Sequence, residues 1–520
     1  MSQTTETIEQ ELQVEFESML SYVKGSGKAT ADEVERGIFR RLLNFGARLM
    51  VLFFALRTAA AGRNEHQLAN GERLPYRVEH RRQYFSIFGK LAFWRPYFYR
   101  PGVGGDSPLD EELALGSDCY SDLVRELVGY LGVDSTYAKV ANCFAHLLGL
   151  ELSTQAISDV VAEDAVDVEA FYAQQPAPAP ASEAPILVIQ ADGKGVPMVR
   201  NTPAEPKVRL GKGDKQNQKK EALVTGIYTI APDVRTPASV VDNLFHPKAD
   251  PANSPTSAPL RAGPQTKRLW ATMDGKDAAL KRLAQQVAGR DGAHIQQRVA
   301  LCDGAEALQE RILAQFPTFS LVLDFIHANE RLWAVANSLF GETSPKRTPW
   351  VETHTLDMLS GAVPQLISEL RQLATIPDIA IGLQTVLTKT ANYFERNLDY
   401  MHYDRYLAIG WPIASGVIEG ACRHLVKDRC ELSGMRWTKD GVENLLRLRA
   451  VVENGDWSDY RRFSQKQRHL RLYGVPCSAQ TSPENQALAD SIPVHLPFAH
   501  TFIMPTLISK RTSELQIRAA

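Results

Sequence analysis

The chain has 520 residues and is 44% hydrophobic, enough apolar content for a large core and enough length for two to four domains. Lys+Arg 58 against Asp+Glu 60 leaves a net charge of −2, so any affinity for a polyanion must come from local basic surfaces. Six cysteines without a C-x-x-C pair argue against a zinc ribbon and fit a reducing, cytoplasmic setting.

Residues 1–72 begin with an acidic, polar stretch that is no signal peptide. Helices are predicted over 6–62 with a break around Gly25 and Gly27, and the second carries Arg36, Arg40, Arg41 and Arg48. Its most apolar run, LMVLFFAL at 49–56, is too short to span a bilayer, so no membrane partner is expected. Residues 73–173 hold an aromatic and basic hairpin, RRQYFSIFGKLAFWRPYFYR at 81–100, turning around Gly89 and Lys90. A helical region follows over 110–172. Within it TYAKVANCFAHLLG, LEL and STQAISDVVAEDA resemble a helix-turn-helix, with Ser153 or Thr154 as N-cap. The second of those helices has no Lys or Arg and ends acidic, which weighs against its reading DNA.

QQPAPAPASEAP places a Pro/Ala linker at 174–185. After it, ILVIQAD reads as a strand covered on both faces. A basic, Gly-interrupted segment at 207–220, with Lys212 and Lys215, precedes the strand ALVTGIYTI, and 231–266 is rich in proline. Then come helix DGKDAALKRLAQQVAG, strand RVALC, helix GAEALQERILAQF, strand FSLVLD and helix ANERLWAVANSLF. The order predicts an α/β fold with a ribonuclease-H-like catalytic core. Its first part is 186–327, an all-helical insertion is 328–411, and a catalytic helix with the end of the core is 412–475, before a tail at 476–520. A mainly helical DNA-binding region with the hairpin precedes this core.

Three carboxylates sit at the ends of these core elements: Asp192, Asp303 and Glu419. Each also has a structural role open to it. Asp192-Gly193 suits a hairpin turn, Asp303 with Glu306 a capping box, Asp324 a helix cap, and Glu419 the helix dipole. Together they suit a divalent-metal site, because Mg²⁺ takes hard oxygen ligands and shares them with substrate phosphates. Two such ions can activate an attacking oxygen and stabilise a leaving one. On the last helix, Ile418, Ala421, Cys422 and Leu425 form the buried stripe, flanked by Glu419, Arg423 and Lys427 at i, i+4 and i+8. His424, Arg429, Arg436 and Lys439 continue a basic surface suited to phosphodiesters.

These blocks resemble the DDE transposases of bacterial insertion sequences, of the ISKra type related to the Mutator-like group. The matching segments are QADGKGVPM, MDGKDAALKRLA, RVALCDGAEALQERI, LDFIHANERLW, PIASGVIEGACRHLVKDRCELSGMRW, NLDYMHYDRYLAIGWPI and RLRAVVENGDWSDY. They cover 185–475 closely and the N-terminal region loosely. The resemblance implies metal-dependent cleavage at element ends and strand transfer into target DNA. It places the first acid on Asp192, the middle one on Asp303 with Asp324 as the alternative, and the last on Glu419. Asp324 and His327 look like the group's Asp-x-x-His signature. Two Mg²⁺ or Mn²⁺ ions are implied on the three acids. Lys194, Lys212, Lys215, Arg423, His424, Lys427 and Arg436 are expected to contact DNA. Terminal inverted repeats and target DNA are the expected partners, with a homo-oligomer on DNA. The stretch YFYRPGVGG lacks the cysteines that relatives carry near this hairpin, which speaks against zinc. The alternatives are a structure-selective nuclease of the same fold and a domesticated DNA-binding regulator without catalysis.

Overall fold

The computed structural model describes residues 4–199, 219–246, 263–432 and 434–474, so Lys212, Lys215 and the 476–520 tail lie outside the described residues. At the N-terminus, helices Thr5–Gly25 and Ala31–Ala60 form an antiparallel pair. Thr30 and Glu33 close a reciprocal capping box that starts the second helix. By length and composition this second helix is long and apolar enough to cross a membrane. The 49–56 run is thus one part of a longer apolar element.

The hairpin is longer than predicted. Strands β1 (Glu65–Gln67), β2 (Arg73–Ser86), β3 (Gly89–Arg100) and β4 (Gly104–Asp106) form an antiparallel sheet in the order β1-β2-β3-β4. The β2–β3 turn falls at Ile87 and Phe88, because Ser86 pairs with Gly89, whose φ of 121° a side chain would resist. The helix pair Tyr137–Leu148 and Thr154–Asp164 follows, with Ser153 accepting from the Ala156 N–H at 3.0 Å. Gly149 ends the first of these helices in the left-handed region at φ 64°.

A second sheet holds β5 (Ile186–Pro197), β6 (Lys219–Ile230), β7 (Gln265–Thr272), β8 (Gln297–Cys302) and β9 (Ser320–Leu323). Its order is β7-β6-β5-β8-β9. β5, β6 and β7 are an antiparallel meander, whereas β8 and β9 run parallel to β5. The protein is therefore mixed α/β, as expected. Alternation along β5 splits the core in two. Leu187, Ile189 and Ala191 pack with Leu280, Leu283 and Leu308. Ile186 and Val188 face the other way, with Val299, Leu301 and the helices Phe325–Phe340, Arg347–Leu359, Val363–Ala374 and Ile381–Arg396.

A third cluster joins Ile418, Leu425 and Trp437 to Val133, Val161 and Phe171. Helices Lys439–Glu453 and Trp457–Tyr473 complete it. The regions on either side of the 174–185 segment thus share one core, and a buried Arg461–Asp164 pair at 2.6 Å crosses between them.

Candidate active site

Period-2 alternation puts Gln190 and Asp192 on the same face of β5 as Ile186 and Val188. The parallel register pairs Ala191 with Cys302, so Asp192 and Asp303, each one residue further on, lie side by side. Asp192 does not end its strand and makes no hairpin turn. β5 runs on to Pro197 and pairs Asp192 with Val224 of β6, while its partner β8 stops at Cys302. Burial raises the Asp192 carboxyl above its usual range, with the neighbouring Asp303 charge adding to the rise. Bonds from the Cys422 thiol at 3.4 Å and the Gly193 N–H at 2.6 Å pull the other way.

Asp303 is partly exposed, and its Oδ1 accepts from the Ala305 N–H at 3.2 Å. The expected capping box with Glu306 does not form, because Ala305 is the N-cap of helix Glu306–Gln315 and gives no side-chain bond. Neither Asp192 nor Asp303 has a salt-bridge partner among the described residues.

Asp324 is different. It is fully buried and accepts from the Ser415 N–H at 2.9 Å, the Ile326 N–H at 3.3 Å, the His327 N–H at 3.4 Å and His327 Nδ1 at 2.5 Å. Burial alone pushes its carboxyl up, yet the bonds from His327 and Ser415 outweigh it and leave the group below its usual range. The His327 imidazole is held up at about 9, chiefly by its bond to Asp324, with Glu330 and Asp303 adding to the field. The Asp324 side chain is thus both a helix cap and the anchor of the segment before Glu419.

The Glu419 helix starts at Gly416. Its Ile418 N–H donates to Gln190 Oε1 at 2.9 Å, and Gln190 Nε2 donates to the Tyr228 hydroxyl at 3.0 Å. Gln190 and Asp192 on β5 therefore each hold one turn of this helix. Glu419 itself is exposed, one turn before Cys422. Burial raises the Cys422 thiol pKa, and the charges of Asp192 and Glu419 raise it further, while Lys194 opposes them. Among the described residues no three His, Cys, Asp or Glu side chains converge tightly enough to form a complete metal-ligand set. The structure brings Asp192 and Asp303 together and leaves Glu419 on the adjacent helix flank. Two hard carboxylates without a salt-bridge partner among the described residues suit a divalent ion.

The helix is α over Gly416–Ala421, π over Cys422–Lys427 and α again over Asp428–Cys430. The widened turn shows as an Asp428 N–H bonded to Arg423 O and an Arg423–Asp428 ion pair at 3.6 Å. Buried residues consequently fall in pairs every four positions: Ala421 and Cys422, Leu425 and Val426, Arg429 and Cys430. Arg449 accounts for the irregularity. Its guanidinium donates to Leu425 O at 2.7 Å and also to His424 O, satisfying carbonyls inside the π segment, and it pairs with Asp134 at 2.6 Å.

The expected basic residues divide into two groups. Lys194 shares the Asp192 face of β5, and Arg423, His424, Lys427 and Arg436 are exposed. His424 meets Asp428 at 3.3 Å, whereas Lys427 and Arg436 form no ion pair among the described residues. Arg429 is not surface at all. It is fully buried, donating to Gly132 O at 3.1 Å and stacking over Trp437 at 4.9 Å and Tyr137 at 5.2 Å.

Sequence reasoning missed the contribution of the helical segment. Tyr393 packs on Gly304, where a Cβ would lie 2.3 Å from its ring, and carries the Arg331 guanidinium 4.6 Å above its centroid. Burial, reinforced by the charges of Asp303 and Asp324, raises the Tyr393 hydroxyl to about 12. No local pattern marked Tyr393, which lies 90 residues from Asp303 in the chain. Gln190 did leave a trace, as the lone polar residue inside ILVIQAD. No family model matches this chain, and no curated protein matches it.

Proposed function

We propose that the protein is the transposase of an insertion sequence, a polynucleotidyl transferase with a ribonuclease-H-like core interrupted by a helical insertion. The observation that carries this reading is the register that sets Asp192 of β5 beside Asp303, one residue past the end of the parallel strand β8, next to the anchored helix that carries Glu419. The strand order β7-β6-β5-β8-β9 supports it, as does the exposed basic flank of that helix.

In this proposal Asp192, Asp303 and Glu419 hold two Mg²⁺ or Mn²⁺ ions. When bound, such ions lower the pKa of the attacking water or 3′-hydroxyl and neutralise the leaving oxygen. Asp303 is the middle acid, because its carboxylate is partly free whereas every acceptor direction of Asp324 is engaged by backbone N–H groups or His327. Lys194, Arg423, His424, Lys427 and Arg436 hold the DNA backbone against the acids through charge-assisted contacts to phosphates. His327, bonded to Asp324, adds positive charge in the field of Asp192 and Asp303.

The test uses the purified chain with duplexes carrying its element's ends, in Mg²⁺ or Mn²⁺. Cleaved and joined product is expected from the native protein. Asp192→Asn and Asp303→Asn should bind the ends and make neither product. Cleavage without joining would assign a nuclease instead. Unchanged biological activity in Asp192→Asn would assign a binding-only regulator.

A further inference from the structure

We infer that the chain pairs with a second copy of itself through an antiparallel seam on helix Ala31–Ala60. Two sides of this helix are already occupied. One packs on Thr5–Gly25, with Gly37 against Tyr22 and Arg48 paired to Glu11 at 2.5 Å and Glu15 at 2.6 Å. Another packs on the first sheet, with Phe54 stacked on Phe93 at 4.1 Å and Gly46 covered by Phe88.

Between them lies a third side that no other described residue covers. Phe39, Leu42, Leu49, Phe53 and Leu56 are 44%, 51%, 46%, 44% and 48% exposed. With Gly46 they fall at alternating three- and four-residue steps, the a and d positions of a coiled-coil seam. Residues 39, 46 and 53 take a; residues 42, 49 and 56 take d. No charged residue occupies any of these positions. Helix Thr5–Gly25 adds an exposed stripe of its own, Phe16, Leu20 and Val23, at i, i+4 and i+7.

The size fits a partner of protein dimensions. The seam over 39–56 is about 27 Å long. Together the two stripes expose on the order of 700 Å² of apolar surface, close to the roughly 800 Å² each partner buries in a standard interface. A single soluble chain rarely leaves so much uncovered.

The pattern is also self-complementary. In an antiparallel pair related by a two-fold axis, a meets d: Phe39 lies opposite the partner's Leu56, and Leu42 opposite the partner's Phe53. The Gly46–Phe88 contact then lies opposite the partner's Leu49. Each layer sets a larger group against a smaller one, and the two-fold closes the assembly as a dimer. Lipid is the poorer occupant. The helix carries Arg40, Arg41 and Arg48, and the Arg48–Glu11–Glu15 cluster would enter hydrocarbon with it.

Sedimentation velocity on the full chain without DNA tests the inference. The native protein is expected to sediment as a dimer at micromolar concentration. Leu42→Glu with Leu49→Glu should give a monomer whose circular dichroism is unchanged, since both side chains are exposed in the single chain, and whose melting temperature no longer depends on protein concentration. Under oxidation, a Leu42→Cys, Phe53→Cys chain should crosslink to a dimer, and Leu42→Cys alone should not. A native monomer would overturn the proposal, as would a dimer that survives the two glutamates. Flotation with anionic phospholipid vesicles, abolished by the same glutamates, would overturn it in favour of a lipid surface.

Discussion

The carboxylate of Asp324 accepts the backbone N–H of Ser415 at 2.9 Å, joining the end of β9 to the start of the Glu419 helix across the entire helical segment between them. Together with the Phe325 N–H, which donates to Ile413 O at 2.9 Å, that contact fixes where the chain re-enters the core after its excursion through residues 328–411. It makes Asp324 a structural anchor, so the two candidate middle acids should fail in different ways. Asp324→Asn is expected to lose about 2–4 kcal/mol, because a buried, fully bonded carboxylate is replaced by a group that brings its own unsatisfied donors. Asp303→Asn should stay within about 1 kcal/mol of the native protein while losing metal-dependent cleavage. Chemical denaturation beside an end-cleavage assay separates them, and equal destabilisation of both would contradict this assignment.

His327 sets a pH dependence of stability. Its folded pKa of about 9 stands above the unfolded imidazole value of 6.5, so protonation stabilises the native state. That contribution is complete below about pH 6.5 and is lost as the pH rises through about 9. Its size is roughly 2–3 kcal/mol at most. Melting temperature measured from pH 6 to pH 10 should fall across this window, and His327→Gln should flatten the curve. At the acid end Asp324 acts in the opposite sense, since its depressed pKa supports the fold above the ordinary carboxylate range and ceases to do so as the pH falls through it.

Divalent ions should stabilise the native state by relieving the repulsion between Asp192 and Asp303. At a hundredfold excess over Kd, Mn²⁺ binding is worth about 2.7 kcal/mol, readable as a rise in melting temperature. Asp192→Asn or Asp303→Asn should abolish the rise. A rise of the same size in both variants would place the ion elsewhere.

Arg449→Met should destabilise the protein by about 2–4 kcal/mol, leaving buried carbonyls at His424 and Leu425 without donors. Hydrogen exchange should quicken first at the amides of 424–428. Arg449→Lys should rescue little, because one ammonium cannot reproduce the guanidinium fork.

Gly304→Ala drives a methyl group into the Tyr393 ring, and a ring cannot yield as a flexible chain end can. A cost of about 1–3 kcal/mol is expected, together with reduced Mn²⁺ affinity as the Asp303 loop shifts. Tyr393→Leu in the same chain should restore part of both. Calorimetric Mn²⁺ titration reads the affinity.

Much of the second sheet was legible because its strands carry continuous apolar runs. β5, β6, β8 and β9 each read as a run of β-branched and aliphatic residues. β7 was missed. Its QTKRLWAT carries Lys267 and Arg268, and the polarity of Arg268 makes sense only through Asp456 at 3.0 Å and the Asn454 carbonyl at 3.1 Å, both far along the chain. The hairpin extends eight residues earlier than expected, and the surroundings of its predicted part were also misjudged. Arg82 looks like a solvent-facing position, yet it pairs with the nearly buried Asp110 at 2.6 Å. At the site, the sequence placed the acids on the right elements but misjudged their local setting. Asp192 sits mid-strand, and nothing in seven residues of sequence announces that a parallel neighbour will stop there. Arg429 was taken for surface charge because its burial depends on Tyr137 and Trp437, which the chain brings together from either side of it. The first two turns of the Glu419 helix followed the ordinary helical period, and departure from that period begins only where Arg449 intervenes.

The π segment has a genetic consequence. A π turn differs from an α turn by one inserted residue. Removing one of its exposed residues, Arg423, His424 or Lys427, should let the helix revert to ordinary winding with little change of phase, because five α residues at about 100° each turn nearly as far as six wider π ones. Arg429 and Cys430 would then keep their inward side, and Glu419, upstream, its place. A one-codon deletion in this hexapeptide should therefore be tolerated better than one in the regular helix Lys439–Glu453, where everything after the gap turns by about 100°.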